Sequence, residues 1–593
     1  MINRTTKLRW RRRYRRSRQQ VGDISQQAES HLERHFFKRT ARLLAVRRFL
    51  LSWITLVVLL IGVTLIQAYE LSGYYQKLTP VPGGSYSEGI VGSYTTSDPL
   101  FVNNDVDAAV SRLIFAGLLK YNSANQLVPD LAQSWSVDSK GQNYTVVLKP
   151  NLKWQDGTPL TANDVVFTFK TIQNPDVNSP LFSSWQGVDI KALNSRTILF
   201  SLPDSLSSFP ENLTTGIIPE HLLGNVQPSG FQSVNFNTVD PVGAGPFKWE
   251  TVQVAETSAN TQQQQIGLVA NPYYYGGKPD LDRFIINDYP TQGSMIAGFD
   301  HQDIDAMAGL DNLPANLVKS SDVFSYNVPL TAEVMTFFNN SGPILSDVKV
   351  RQALVEGTNE SSIIAGLGYP VIPARSPLLP FQIGYAPKTL QLTTNVAQAN
   401  QLLTQDGWIM GKDGIRTKSG SPLQFQLFTE DDSEYNYVGQ ALVKQWKAIG
   451  VDAQLASQQS IDFQTTLENR DYDALLYGIS IGVDPDVFVY WDSSQASPSA
   501  IPGLNFSEYK STASDESLEG GRITVDPALR AVKYQPFLQN WQNDAPAVAL
   551  YQPRFLYVVR GHLFNFSPTM FNSAADRYAN VSNWMVREVN KTN

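Results

Sequence analysis

The sequence predicts a mixed α/β protein of two lobes set behind one membrane-spanning helix. Three observations carry this. A chain of 593 residues exceeds what one hydrophobic core organises, so two or three lobes are expected. Helix-like and strand-like runs interleave without long gaps from residue 85 onward. Phe49 to Ala68 is a run of twenty residues without a charge, long enough as a helix to cross the roughly 30 Å hydrocarbon core of a bilayer.

The apolar run divides the chain electrically. Residues 1–48 carry a net charge of +12, with nine basic residues between Arg4 and Arg18, and the remainder carries −19. A cleaved signal peptide would have a shorter apolar region leading into a small-x-small site, and no good A-x-A follows here. The run is therefore read as an uncleaved signal anchor, with the basic end in the cytoplasm and everything after about residue 70 outside. The tip RWRRRYRRSR, with Trp10 and Tyr14, invites a nucleic-acid reading. A basic segment beside a membrane span that sets topology and meets anionic head groups is the simpler account, and no nucleic-acid partner is expected.

Residues 69–84 read as a linker with two prolines and a Gly-Gly. YSEGIVGSY, NYTVVLK and RTILFSL are strand-like. DVDAAVSRLIFAGLLK, from Asp105, has a helical apolar face extending to Leu118. TANDVVFTFKTI opens on a Thr161/Asp164 capping pattern. SDVKVRQALVEG opens on Ser346, and NVAQANQLLTQDG runs from Asn395 to a cap at Gly407. EYNYVGQALVKQWKAIG ends at Gly450 and leads into the strand VDAQLA, giving βαβ-like units around 423–480. DPALRAVKYQPFLQNWQ begins on Asp526 and Pro527, and Pro536 predicts a kink. The SANTQQQQ tract (258–265) reads as a disordered hairpin-tip insertion. Two α/β lobes joined by more than one crossover fit this pattern, with a β-rich insertion near 120–240.

Composition removes several chemistries. Cysteine is absent, which excludes disulfides, thiolate metal sites, a cysteine nucleophile and a lipidated cysteine anchor. The five histidines fall in no metal-ligand spacing, and neither a GxSxG elbow nor a GxxxxGK[ST] loop is present. Glu430, Asp431 and Asp432 read as a solvated face, although the two carboxylates of a glycosidase need no fixed sequence spacing. No enzyme, cofactor or metal is expected. The positive signal is 25 Tyr and 11 Trp, many beside turns, which suits the mainly apolar pocket of a small-ligand binder.

Several stretches resemble the extracytoplasmic solute-binding proteins of ABC importers that capture peptides, nickel complexes and some oligosaccharides. LVPDLAQSWSVDSKGQNYTVVLKPNLKWQDGTPLTANDVVFTF (127–169) is similar to that family's most diagnostic segment. GAGPFKWE (243–250), NPYYYGGKPDLDRFIIN (271–287), SDVKVRQALVEGTNESSII (346–364) and NVAQANQLLTQDGW resemble further family elements in the same order. The resemblance implies a clamshell of the type II periplasmic-binding-protein kind with an extra third subdomain. Lobe I would comprise 85–335 and 505–593, including the β-rich part at about 121–240, and lobe II 336–504. It implies a monomer that encloses a peptide or other small solute and delivers it to ABC permease subunits. Two departures stand out: a membrane helix in place of a lipidated cysteine, and Asn359-Glu360 where the family has Asp-Arg.

The ligand question centres on YGISIGVDPD (477–486). In peptide-binding members the equivalent segment places an aspartate three residues before the D/E-P to hold the ligand's α-ammonium group. Alignment on Asp484-Pro485 puts Ile481 at that position. Two explanations stay open: Asp484 or Asp486 takes the amine, or the ligand lacks a free amino terminus. The simplest alternative is a rigid turn whose carboxylates cap the segment after it. Residues expected at the cleft are Tyr94, Thr95 and Thr96 after the first strand, then Tyr477, Ser480, Ile481 and Asp484, with Tyr490 or Trp491 as an aromatic wall.

Overall fold

The computed structural model describes residues 47–258, 261–500 and 503–592. The basic segment before Arg47, with Trp10 and Tyr14, lies outside them, as do residues 259 and 260 at the tip of the glutamine-rich tract. The chain forms two compact units. One takes in the described residues up to Thr79 with those from Glu588 on; the other is Pro80–Arg587. In the first, the helix Arg47–Tyr75 contains Phe49–Gln67, which is apolar and long enough to cross a membrane. The linker expected over 69–84 is instead regular: the helix continues to Tyr75, and the strand Gln76–Val81 pairs with Arg587–Thr592.

The larger unit is built on two mixed sheets. The first has seven strands in the order Val323–Pro329, Arg554–Arg560, Ala306–Ala308, Ser85–Val91, Arg283–Tyr289, Thr261–Ala270 and Phe247–Ser258. Ser85–Val91 sits centrally and runs parallel to both neighbours, so both faces must be covered. One face packs with helix Asp105–Ile114 in a large core containing Leu113, Phe247, Phe284 and Trp584. The other packs with helix Gln292–Asp300 through Met295, Phe299 and Val558. The glutamine-rich tract forms the distal part of the hairpin Phe247–Ser258/Thr261–Ala270.

The second sheet has six strands: Ile372–Pro373, Ala547–Gln552, Ala332–Phe338, Ala474–Ser480, Gln424–Glu430 and Asp452–Gln458. Gln424–Glu430 is parallel to the strands on both sides, so the βαβ units expected around 423–480 are present. Period-two alternation sends Val334 and Phe338 to one core and Met335 and Phe337 to the other. A separate antiparallel sheet, Ala132–Val137, Asn143–Leu148, Thr197–Ser201 and Asp189–Asn194, occupies the place of the expected β-rich insertion.

Two very short crossovers join the main sheets. Leu330 and Thr331 separate Val323–Pro329 from Ala332–Phe338, and Pro553 separates Ala547–Gln552 from Arg554–Arg560. The Leu330 N–H donates to Pro553 O at 2.9 Å, so the crossovers lie side by side. This moves the expected return from residue 505 to 553. Helices Thr512–Ile523 and Gln535–Asp544 pack on the second sheet, to which the strand Ala547–Gln552 belongs, through Leu518, Phe537, Leu538 and Trp541.

Local signals explain most boundaries. Thr161 and Asp164 form the expected capping box, Asn395 and Asp526 cap their helices, and Gly407 and Gly450 adopt positive φ after theirs. Asp347, not Ser346, caps Val348–Glu356. The helix from Asp105 stops at Ile114, short of the expected Leu118, because Ile114 O accepts from Gly245 N–H (2.7 Å). A Cβ at Gly243 or Gly245 would run into that carbonyl, which gives the G-A-G-P-F turn its physical meaning. At Pro536 the helix does not bend but divides, into Pro527–Lys533 and Gln535–Asp544.

Candidate ligand site

The strand Ala474–Ser480 runs out beside the crossover. Ile481 N–H and Gly482 N–H both donate to Thr331 O (3.0 and 3.1 Å), which fixes where the acidic turn emerges. Thr331 Oγ1 donates to Asn572 Oδ1 (2.6 Å), tying the crossover to the segment 572–578. That segment is anchored from beneath by a fully buried ion pair. Glu88 Oε1 accepts from Arg577 Nη2 (2.6 Å) and Tyr578 OH (2.5 Å), and its Oε2 accepts from Tyr557 OH (2.6 Å).

Above this anchor lies a cavity of about 290 Å³, whose lining includes Arg112, Phe115, Tyr121, Thr214, Asn572 and Asp576. It opens between the polar side of helix Asp105–Ile114 and the turn Ala574–Tyr578. Burial, followed by the charge of Glu211, raises the Tyr121 hydroxyl well above its ordinary value. Glu211 Oε1 in turn accepts the Asp484 N–H at 3.0 Å. Burial and then the Asp484 charge push the Glu211 carboxyl up to about 7.

Both aspartates of the turn are paired with arginines, and Asp486 Oδ1 is buried without a hydrogen-bond partner among the described residues. Arg530 grips both oxygens of Asp484, with Nη1 on Oδ2 at 2.6 Å and Nη2 on Oδ1. Burial drives the Asp484 carboxyl up, and Arg530 pulls it back. Asp484 Oδ1 also accepts the Asp486 N–H (3.0 Å), an Asx turn that closes the loop locally. Asp486 Oδ2 accepts from Ser208 Oγ (3.0 Å) and Arg522 Nη2 (3.2 Å). Ser205 and Ser207 add hydrogen bonds to the carbonyls of Ile523 and Arg522. Residues 205–211 are thus fastened to the acidic turn and to the end of helix Thr512–Ile523.

The other expected residues fall in different places. Ile481 is buried in the apolar core of the second sheet with Ile479 and Val487. Trp491 is fully buried against Phe337, Phe537 and Trp541, so it is core packing and not the expected aromatic wall. Tyr490 is partly exposed and donates to Ser480 O (2.6 Å), which closes that exposed residue's carbonyl. Tyr477 is half-buried between Phe463 and Phe506. Tyr94 is buried, donating its N–H to Asp288 Oδ2 (2.9 Å) and its hydroxyl to Asn237 O (3.2 Å). The Thr95 and Thr96 N–H groups both donate to Asp107 Oδ1, and Thr95 Oγ1 to Asp107 Oδ2.

Thr95 and Thr96 line a second cavity, of about 500 Å³, with Asn103, Asn178 and Asn237. No residue of 477–491 lines it. Sequence reasoning missed Arg112, Tyr121, Glu211, Asn572 and Asp576. Only Arg112 had a local signal, as a lone charge in the apolar run VSRLIFAGLL. Among the described residues no group of three or more His, Asp and Glu is placed to hold a metal ion.

Comparison with known proteins places this geometry. The model of the bacterial extracellular solute-binding proteins, family 5 (middle) matches residues 126–499. The oligopeptide-binding protein AppA of Bacillus subtilis (strain 168) is 27% identical over 492 residues, covering 80% of this chain and 87% of the relative. Its structure in complex with a nonapeptide aligns with TM-score 0.68 at 25% identity over 86% of this chain and all of that one. NikZ from Campylobacter jejuni, in complex with Ni(L-His), aligns with TM-score 0.70 at 24% identity over 84% and 99% of the two chains. The fold of these neighbours is the α/β arrangement of mixed sheets described above. The chain belongs to the bacterial extracellular solute-binding proteins, family 5.

Proposed function

We propose that this chain is the extracytoplasmic receptor of an ABC importer. It takes a peptide between two lobes and hands it to permease subunits. The lobes are the parts built on the first sheet (85–329 and 554–587) and on the second (332–552). They close by rotation about the paired crossovers at 330–331 and 553. Family membership carries the solute-binding role. The peptide ligand is supported by the Bacillus subtilis relative, named an oligopeptide-binding protein and solved with a nonapeptide. Phe49–Gln67 tethers the receptor in the membrane with its basic end in the cytoplasm, doing the work that a lipidated cysteine cannot do in a chain without cysteine. The receptor acts as a monomer and performs no chemical step on its ligand.

A second reading, a solute without a free amino terminus such as an oligosaccharide, is favoured by one observation. Ile481 stands where the family resemblance implies an amine-binding aspartate, and the nearby Asp484 and Asp486 are held by Arg530 and Arg522. Thermal unfolding of the full-length protein in detergent micelles separates the two. A ligand at a hundred times its dissociation constant adds about 2.7 kcal/mol of stability. The peptide reading predicts that stabilisation with a peptide mixture, the peptides being recovered intact by mass spectrometry. Stabilisation by an oligosaccharide mixture and by no peptide would replace the first reading with the second.

A further inference from the structure

Residues 205–211 belong to the lobe of the first sheet, whereas the acidic turn and helix Thr512–Ile523 belong to the lobe of the second. The bonds between them therefore cross from lobe to lobe. Ser205 Oγ donates to Ile523 O (2.7 Å). Ser207 donates to Arg522 O twice, from Oγ at 2.8 Å and from its N–H at 2.9 Å. Ser208 Oγ donates to Asp486 Oδ2 (3.0 Å), and the Asp484 N–H donates to Glu211 Oε1 (3.0 Å). Gly141 lies flush against the contact: a Cβ there would run into Ser205 Oγ and the Val525 side chain. Within this set Glu211 is electrically out of place. It faces Asp484 and Asp486 from the turn and Tyr121 from its own lobe, and a Cβ on Gly482 would lie 3.6 Å from its Oε2. Burial, then the charges of Asp484 and Asp486, oppose its ionised form, while the Asp484 N–H and Tyr121 favour it. The nearby cations, Arg530 and Arg522, are engaged by the two aspartates. Protonated, Glu211 suits the contact; ionised, it adds a third negative charge to one largely buried turn.

We infer that these bonds form a latch that holds the two lobes shut and that loosens when Glu211 loses its proton. The inference rests on the two-lobed reading above and adds a control to it. When the lobes part, Glu211 leaves Asp484 and Asp486 and meets water, so it gives up its proton more readily in the open form. By linkage the open form then gains on the closed one as pH rises. Each unit by which the carboxyl's value falls on opening is about a factor of ten in that ratio. The latch is firm below the ordinary carboxyl value of 4.5, weakens as pH rises toward about 7, and is weakest above. The serine bonds do not titrate in this range and keep the closed form in the majority. A ligand held between the lobes leaves only through the open form, so its release quickens as pH rises.

The test is hydrogen–deuterium exchange of the full-length protein in micelles, read by mass spectrometry. The fragments of interest contain Ser207 and Asp484, whose N–H groups cross the latch. After correction for the intrinsic pH dependence of exchange, their protection should fall by about tenfold or more between pH 5 and pH 8. The strand Asn143–Leu148, paired only within its own lobe, should keep its protection over that range. Glu211→Gln keeps an acceptor for the Asp484 N–H and should make the latch protection level across the same range. Ser207→Ala should lower protection by one factor at every pH and leave the parent's slope unchanged. Should a variant fail to fold, the parent's slope read against Asn143–Leu148 still decides. A flat profile in the parent, or the same slope in Glu211→Gln, would overturn the proton control and leave the two-lobed reading standing. Latch amides that exchange only together with Asn143–Leu148 would overturn the latch and the lobe closure alike.

Discussion

Glu211 offers a pH-dependent test of the contact that joins the subdomain bearing residues 205–211 to the acidic turn. Its carboxyl is pushed up to about 7 by burial and then by Asp484, with Asp486 adding in the same direction. The Asp484 N–H and Tyr121 pull it back, and Arg530 and Arg522 sit on the two aspartates. An acid whose value is higher in the folded state than in the unfolded chain weakens the fold once ionised. That cost is absent well below the ordinary carboxylate value, grows as pH rises from about 4.5 to 7, and is complete above 7. Its full size is on the order of 3 kcal/mol. Glu211→Gln keeps an acceptor for the Asp484 N–H and removes the titration. The variant should match the parent protein near pH 4.5 and exceed it by about 2–3 kcal/mol at pH 8, in guanidinium unfolding run across that range. Asp98, whose carboxyl burial raises to about 7, titrates equally in both proteins and drops out of the difference. A difference that stays flat from pH 4.5 to 8, or grows toward acid, would refute the reasoning.

Other perturbations have equally definite outcomes. Arg530→Ala strands the mostly buried Asp484 carboxylate and should cost about 3–5 kcal/mol in chemical unfolding, whereas replacing Arg530 and Asp484 together by Met and Leu should cost far less. Trp491→Ala should cost about 3–5 kcal/mol as a core cavity and leave the ligand profile unchanged, since the ring packs on Phe337 and Trp541. For the tether, alkaline extraction of membranes should leave the full-length chain in the pellet. Detergent-free release would contradict the anchor.

What could be read from the chain in advance follows the range of the interactions involved. The caps at Thr161, Asn395 and Asp526 were legible because each bonds its helix within three residues. The βαβ units around 423–480 were legible because apolar periodicity changes from helix to strand at Gly450. The return crossover at Pro553 was not, because residues 505–552 carry helix signals that suit either lobe. The site was harder still. Asp484 looked available in the sequence because its partners, Arg530 and Glu211, lie 46 and 273 residues away. Trp491 and Tyr94 stand beside turns, but adjacency to a turn says nothing about depth, and both rings are buried. The resemblance in 127–169 identified the fold because its D-G turn and Thr161 cap are structural. For the same reason it carried no information about Arg112 or Asp576.

The central claim is that a family 5 receptor encloses a peptide, and the most direct measurement is native mass spectrometry of the full-length protein released from micelles as purified. The account predicts a folded monomer carrying a mass increment that fragments into amino-acid residues and is lost on partial unfolding. An increment spaced by hexose units, or a protein that takes up no peptide after stripping and reloading, would contradict it.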